Sequence, residues 1–256
     1  MNSFKVAAII PARFASTRFP GKPLVQLCGK PMLQWVIEGA KTSSMISEIF
    51  VATDNIDIAK LAEACGVRAI MTSVDCQTGS DRIFEASEIL KKENKIFDVI
   101  LNIQGDEPLI TKKYIDPLVN AFVQNADLDM ATLSHPLNSD EILNLNAVKV
   151  LLNEKSEAIY FSRLPIPFSR EKFNVAEFNS CVQKHIGMYA YKTTFLKKFC
   201  QTPQSQIEKA ESLEQLRALH LGAKIKVVSV NEPIQGIDTA DDVKLFEKKY
   251  NEIKLN

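Results

Sequence analysis

The chain has 256 residues, 46% hydrophobic and 24% charged, enough for a large α/β core and far from the composition of a disordered segment. Lysine plus arginine and aspartate plus glutamate both number 31, a net charge of zero that argues against nucleic-acid binding while allowing a local basic pocket. The first apolar run is too short for a signal peptide or a membrane span, and the five scattered cysteines lack metal-type spacing, so a cytoplasmic protein with reduced thiols and no membrane insertion is expected.

Taken in order, short apolar runs at 6–10, 49–53, 67–72 and 99–103, each rich in β-branched residues, predict strands. Between them the spacing predicts a helix from Pro31 to about 40 and another over 57–64, which Gly66 is placed to stop. A third is predicted over 81–92, with Ser80 as its N-cap. This alternation implies right-handed crossovers and a mostly parallel sheet. In the second half, strands are expected over 147–152 and 158–161, joined by the polar turn Asn153-Glu154-Lys155-Ser156, and then a proline-broken loop from Pro165 to about 180. A strand over 185–191, helices near 194–200 and 206–221, a strand over 225–230 and a helix from Ala240 complete the reading. It amounts to a single α/β domain over 1–256 with a small inserted lobe around 145–195, without internal repeats.

The turn after the first strand runs Pro11-Ala12-Arg13-Phe14-Ala15-Ser16-Thr17-Arg18-Phe19-Pro20-Gly21-Lys22-Pro23. Its small residues let backbone N–H groups approach phosphates and its cations offset their charge, so a polyphosphate is expected where this strand ends. Neither Gly-x-Gly-x-x-Gly nor the P-loop pattern is present. The fourth strand ends in Gln104-Gly105-Asp106-Glu107-Pro108, and a carboxylate at such a strand end suits Mg²⁺. Thr239 and Asp242 form a capping-box-like helix start; Asp238, just before it, either serves that turn alone or supplies a second carboxylate to the same cation.

Within Thr78-Gly79-Ser80-Asp81-Arg82, capping leaves Arg82 unexplained, because a cation in a first helical turn opposes the dipole unless an anion or acceptor uses it. His185 and Tyr189 share a strand face with Gly187 between them, forming either a half-buried pair or a space for a polar ligand. Glu211, Glu214 and Gln215 lie on or near one helix face, and Arg163 follows Tyr160-Phe161-Ser162. No Ser-His-Asp or Cys-His arrangement is legible, so covalent catalysis is not indicated.

Over residues 6–243 these features together resemble the 3-deoxy-D-manno-octulosonate (Kdo) cytidylyltransferases. The run from Ile10 through Lys22-Pro23-Leu24 is close to diagnostic of that family and its sugar-acid relatives. Asn146-Ala147-Val148-Lys149-Val150 with Tyr160-Phe161-Ser162-Arg163, His185-Ile186-Gly187-Met188-Tyr189, and 211–217 are more specific to the Kdo branch. The resemblance implies a nucleotide-diphospho-sugar transferase-like, Rossmann-like α/β fold with a mostly parallel sheet and a small inserted dimerisation lobe. It implies a homodimer that couples CTP to Kdo, giving CMP-Kdo and pyrophosphate for lipopolysaccharide synthesis. Arg13 and Lys22 would contact the triphosphate beside Ala12, and Asp106 and Asp238 would hold Mg²⁺. Thr78, Ser80 and Arg82 would border the nucleotide. Gln104 would lie beside the acid, with Arg163, His185, Tyr189, Glu211 and Gln215 around it.

Cys76 stands where the family commonly has histidine, Thr78-Gly79-Ser80 replaces its usual Ser-Gly-Thr, and Pro167-Phe168-Ser169-Arg170 replaces a Trp-containing loop. The first two departures bear on nucleotide contacts; the loop departure bears on the sugar-acid side and keeps open a modified acid such as 8-amino-Kdo, while another sugar acid such as sialic acid is the alternative that would share the first loop.

Overall fold

In the computed structural model β1 (Val6–Ala12) is shielded on both faces, with Val6 through Ile10 wholly buried, as a parallel strand between two covering layers requires. The structure describes residues 4–15, 19–168, 170, 178–234 and 236–255. Arg18 of the first loop, with Ser16 and Thr17, and residues 169 and 171–177 of the proline-broken loop lie outside the described residues. The chain divides into two compact units, Met1–Asp116 with Ile234–Asn256, and Pro117–Pro233.

In the first unit, β1 is followed by a 3-10 turn over Lys22–Leu24 and a short antiparallel pair, β2 (Gln26–Leu27) and β3 (Lys30–Pro31). Then come α1 (Met32–Ala40), β4 (Glu48–Thr53), α2 (Ile56–Ala64), β5 (Arg68–Met71), α3 (Gly79–Lys92) and β6 (Val99–Asn102). Strands β6, β1, β4 and β5 lie side by side in that order, all parallel. Asn55 caps α2 by accepting from the N–H groups of Asp57 and Ile58, and Gly66, at φ +69, turns the chain away from its end. The α3 cap corrects the expectation: Thr78, not Ser80, is the N-cap. Its hydroxyl accepts from the Asp81 N–H while the Asp81 carboxylate accepts from the Thr78 N–H, a reciprocal box closed to an N-cap at Ser80, whose third residue on is the apolar Ile83.

The unit boundary falls within α4 (Lys112–Gln124), at Pro117. Neither this helix nor β7 (Met130–His135) was expected; Met-Ala-Thr-Leu-Ser-His has little β-branched content to mark it as a strand. A short α5 (Ser139–Ile142) precedes β8 (Lys149–Leu152), β9 (Ala158–Ser162) and β10 (Val182–Lys192). β8 and β9 pair antiparallel, as do β10 with β8 and β10 with β7. Next come α6 (Thr193–Gln201), α7 (Gln206–Glu211), α8 (Gln215–His220) and β11 (Ile225–Ser229), which lies parallel to β7.

The single helix expected over 206–221 is therefore two. Ser212 adopts a left-handed conformation, φ +52, between them. The Arg217 guanidinium donates to both Glu208 carboxylate oxygens, at 2.6 and 2.9 Å, with both side chains buried. Nine residues along a straight helix would set them roughly 13 Å apart, so the break is what lets this pair close.

The chain returns to the first unit for α9 (Ala240–Leu255), where Phe246 and Ile237 join Leu27 and Met32 in one buried cluster. The Trp35 ring packs edge-on against Phe246 and Tyr250. That packing anchors the loop carrying Asp238. Among the described residues no helix is long and apolar enough to cross a membrane. None of the five cysteines is in a disulfide.

Candidate active site

β1 has β4 on one side and β6 on the other, so successive connections leave it in opposite directions. Ligands of open α/β sheets bind at such a switch point, in the crevice outside the strand carboxyl ends. Here the two ends carry Pro11-Ala12-Arg13 and Gln104-Gly105-Asp106, which with Lys22, Thr78 and Asp238 line a cavity of about 220 Å³.

Gly21 makes the approach of Lys22 possible. At φ +69 it takes a turn that L side chains rarely adopt, and its N–H donates to the Phe14 carbonyl. The chain then tightens into the 3-10 turn and Lys22 is buried. Its Nζ donates to Asp106 Oδ2 at 2.7 Å and to Asp238 Oδ1 at 2.9 Å. The carboxylates are 38% and 49% exposed, against 11% for the lysine, so the anions face water while the cation is held in the wall. The Ile237 N–H donates to the Asp106 carbonyl at 2.9 Å, tying the two carboxylate loops together. Asp242 accepts from the backbone N–H groups of Asp238 and Thr239 and from the Thr239 hydroxyl, which holds its carboxyl below the usual range. The capping role expected of Thr239 and Asp242 and the presentation of Asp238 are thus parts of one turn.

Gly105 is a second required glycine, because a Cβ there would stand 2.9 Å from the Pro11 carbonyl oxygen. Beside Asp106, Glu107 Oε2 is buried without a hydrogen-bond partner, as is Asn102 Oδ1. Burial, followed by the Asp106 charge, pushes the Glu107 carboxyl up to about 8, with Lys22 opposing. Gln104 lines the cavity, and Arg13 is exposed at its rim.

Ser80 is buried in the first turn of α3 and is not part of the cavity lining. Arg82 does line it, yet its guanidinium donates to Thr72 Oγ1 at 2.6 Å and to Asp54 at 2.7 Å. The acceptor that the helix dipole called for is therefore within the protein. Cys76 donates its thiol to Glu85, and burial together with that carboxylate pushes the thiol up to about 12.

The second unit gathers four of the other predicted residues into two contacts. The Glu211 carboxylate accepts from the Ser162 hydroxyl at 2.7 Å and from the Arg163 N–H at 3.0 Å, while the Arg163 Nε donates to the Glu211 carbonyl. His185 and Tyr189 lie with ring centroids 5.5 Å apart, on one face as expected, with Phe161 edge-on to His185 at 5.0 Å. Gly187 between them leaves open space where a Cβ would be. Gln215 is buried in the first turn of α8, which packs on β9.

Two residues to which the sequence reading gave no role support these groups. Lys149 is buried, and its Nζ donates to the carbonyls of Asn144 and Arg163, fixing the end of β9. A lysine between Val148 and Val150 in an apolar run was the available signal. Thr132, in the strand that went unexpected, bonds to His185.

The chain matches the Cytidylyltransferase family model over residues 7–225. A 3-deoxy-manno-octulosonate cytidylyltransferase of Bdellovibrio bacteriovorus is 53% identical over 244 residues, covering 95% of this chain and 97% of the relative. One from Thermodesulfovibrio yellowstonii is 47% identical over 249 residues, with the same coverage. The solved structure of CMP:2-keto-3-deoxy-manno-octonic acid synthetase complexed with CTP superposes with a TM-score of 0.89 at 37% identity, covering 97% of this chain and 99% of that one.

Proposed function

Because the chain belongs to the 3-deoxy-manno-octulosonate cytidylyltransferase family, we infer that it couples CTP to Kdo, giving CMP-Kdo and pyrophosphate. The observation that carries this reading is the convergence of Lys22, Asp106 and Asp238 at the carboxyl ends of β1 and β6. One ammonium and two half-exposed carboxylates at a switch point suit a nucleoside triphosphate with its cation.

Asp106 Oδ2 and Asp238 Oδ1 converge on a single point, marked by the Lys22 ammonium. Hard carboxylate oxygens at a phosphate site fit Mg²⁺. Among the described residues no group of three or more His, Cys, Asp or Glu could enclose a metal, which suits an ion that keeps water and phosphate oxygens in its shell. In this proposal Asp106 and Asp238 hold the ion. When bound it would neutralise phosphate charge and make the sugar hydroxyl more acidic.

The chain's own residues have defined tasks in this reading. Ala12 and Gly79 keep the cavity wall low enough for phosphate to approach the backbone, and Arg13 meets the triphosphate from the rim. Lys22 offsets charge on the α-phosphate oxygens as it grows during in-line attack by the anomeric hydroxyl. Thr78 borders the nucleotide and Gln104 the acid. Arg163, His185, Tyr189, Glu211 and Gln215 bind the acid, Glu211 by holding the Arg163 backbone in place. No side chain need form a bond to phosphorus; positioning and charge neutralisation suffice.

We further assign the enzyme to the cytoplasm, in lipopolysaccharide synthesis, and to a homodimer formed through the inserted lobe. Ile159, Leu164 and Phe168 of that lobe are 52%, 59% and 88% exposed, more apolar surface than an isolated hairpin gains by showing to water.

The test is pyrophosphate release from CTP, with and without Mg²⁺, against a panel of sugar acids that includes Kdo, 8-amino-Kdo and sialic acid. Kdo is the expected substrate, and Asp106→Asn should abolish turnover while leaving the fold intact. Near-normal CMP-Kdo formation by that variant would remove the metal assignment; turnover of another acid alone would remove the substrate assignment.

A further inference from the structure

Thr132 is wholly buried in β7, opposite the place where β10 bulges. The pairing of β10 with β7 passes from Ile186 opposite Leu133 to Tyr189 opposite Thr132, so Gly187 and Met188 are extra residues. The Thr132 hydroxyl oxygen lies 3.1 Å from the Ile186 carbonyl, 2.9 Å from the Met188 carbonyl and 2.9 Å from His185 Nε2. Three polar atoms thus surround one hydroxyl.

A hydroxyl has one proton to give, and a carbonyl oxygen has none. A proton given to the imidazole leaves the Thr132 hydroxyl with one hydrogen bond, whereas a proton given to a bulge carbonyl lets its oxygen accept a second from the ring, a gain of about 1 kcal/mol. The proton therefore points to the bulge, and the hydroxyl accepts from the ring. Nε2 carries hydrogen, which leaves Nδ1 as a lone pair. Burial keeps this imidazole neutral, its pKa pushed down to about 3, so the second proton does not arrive at neutral pH. The aromatic contacts with Phe161 and Tyr189 hold the ring plane.

We propose that Thr132 is a positioning residue that fixes His185 in its Nε2–H tautomer, so that Nδ1 is presented as a hydrogen-bond acceptor to a hydroxyl of the sugar acid. Its second half rests on the assignment of His185 to the acid's site. A ring fixed this way distinguishes donors from acceptors: a substrate hydroxyl is bound, and an ether or carbonyl oxygen in its place is refused.

The experiment pairs Thr132→Val, which keeps shape but removes the hydroxyl, with Thr132→Ser, which keeps the hydroxyl. Nitrogen NMR of histidine-labelled protein reports the tautomer directly; the chain has three histidines, and His185→Gln identifies the signal. Wild type and Thr132→Ser should show the Nε2–H pattern, and Thr132→Val a mixture. In Thr132→Val the KM for Kdo should rise about tenfold with the KM for CTP unchanged, the size of one lost hydrogen bond. An Nδ1–H pattern in wild type, or an unchanged Nε2–H pattern in Thr132→Val, overturns the positioning role. If Thr132→Val does not fold, the wild-type tautomer still decides it. A changed tautomer with an unchanged Kdo KM overturns the acceptor role alone. Absence of Kdo turnover in wild type would instead refute the functional reading, with the tautomer pattern standing apart from it.

Discussion

The Lys22 ammonium stands 2.7 Å from the Asp106 carboxylate although 84 positions separate the two residues in the chain. The cation is buried and the anion faces water, so each is placed for something beyond its partner. Their contact fixes the charge pattern of the cavity; in the proposed reaction that preorganisation is the condition under which fixed charges lower a barrier most.

Replacing Lys22 by Met should separate catalysis from stability. The carboxylates left behind are half exposed and water screens them, so the loss of stability should stay near or below about 1 kcal/mol. Turnover should fall by about 10²–10³, the typical cost of removing one preorganised charge-stabilising donor. Thermal melting and pyrophosphate release on the same preparation check both halves; a large drop in melting temperature would make Lys22 a structural residue.

The opposite pattern is expected at Arg82. Its guanidinium and Asp54 are 3% and 12% exposed, and Thr72 accepts a further bond, so Arg82→Met leaves a largely buried carboxylate unpaired. The expected cost is about 3–5 kcal/mol of stability, part of which Asp54→Leu in the same chain should restore. Urea unfolding of the two single variants and the double variant measures this coupling. Wild-type stability in Arg82→Met with a raised KM for CTP would return the residue to nucleotide binding.

Gly105→Ala probes the close approach of the two strand ends. A new Cβ would meet the Pro11 carbonyl oxygen at 2.9 Å, and both are backbone-fixed, so the loop carrying Asp106 must shift. A displacement of that kind next to reacting groups costs up to about 10²-fold in kcat/KM. Steady-state kinetics with CTP varied is the check, and an unaffected kcat/KM would show that the loop position is not critical.

His185 gives a pH dependence whose sign follows from its burial. The folded ring stays neutral down to about pH 3, whereas in the unfolded chain it takes up a proton below 6.5. The unfolded state then binds more protons, so stability is fully present above pH 6.5 and is lost as the pH falls toward 3. Relative to His185→Gln, the wild type should lose up to roughly 2 kcal/mol between pH 7.5 and 5. Urea unfolding of both proteins at the two pH values measures the difference, and a constant gap would place a protonated ring in the fold.

Strand β1, helix α2, the hairpin of β8 and β9, and the residue types of the loops carrying Lys22, Asp106 and Asp238 were legible in the chain because each is written locally. A doubly buried strand is an unbroken apolar run, a helix start is a side chain within three residues, and the loop after β1 is a cluster of small and basic residues. Partners were not legible in the same way. The hydrogen bonds of Arg82 to Asp54 and Thr72 could not be read from its place in a first helical turn, although the residue also lines the cavity. The periodicity over 206–221 ran straight through Ser212, and only the buried pairing of Glu208 with Arg217 explains the break.

By itself, then, the sequence determined the alternation of strands and helices, the residue types at the strand ends and the family to which they belong. Tertiary structure decided which charges are spent inside the protein and which face the cavity, and which way a histidine proton points. The reason is physical. Backbone conformation responds to neighbours a few residues away, whereas the fate of a polar group depends on whatever packing brings within 3 Å, from any distance along the chain.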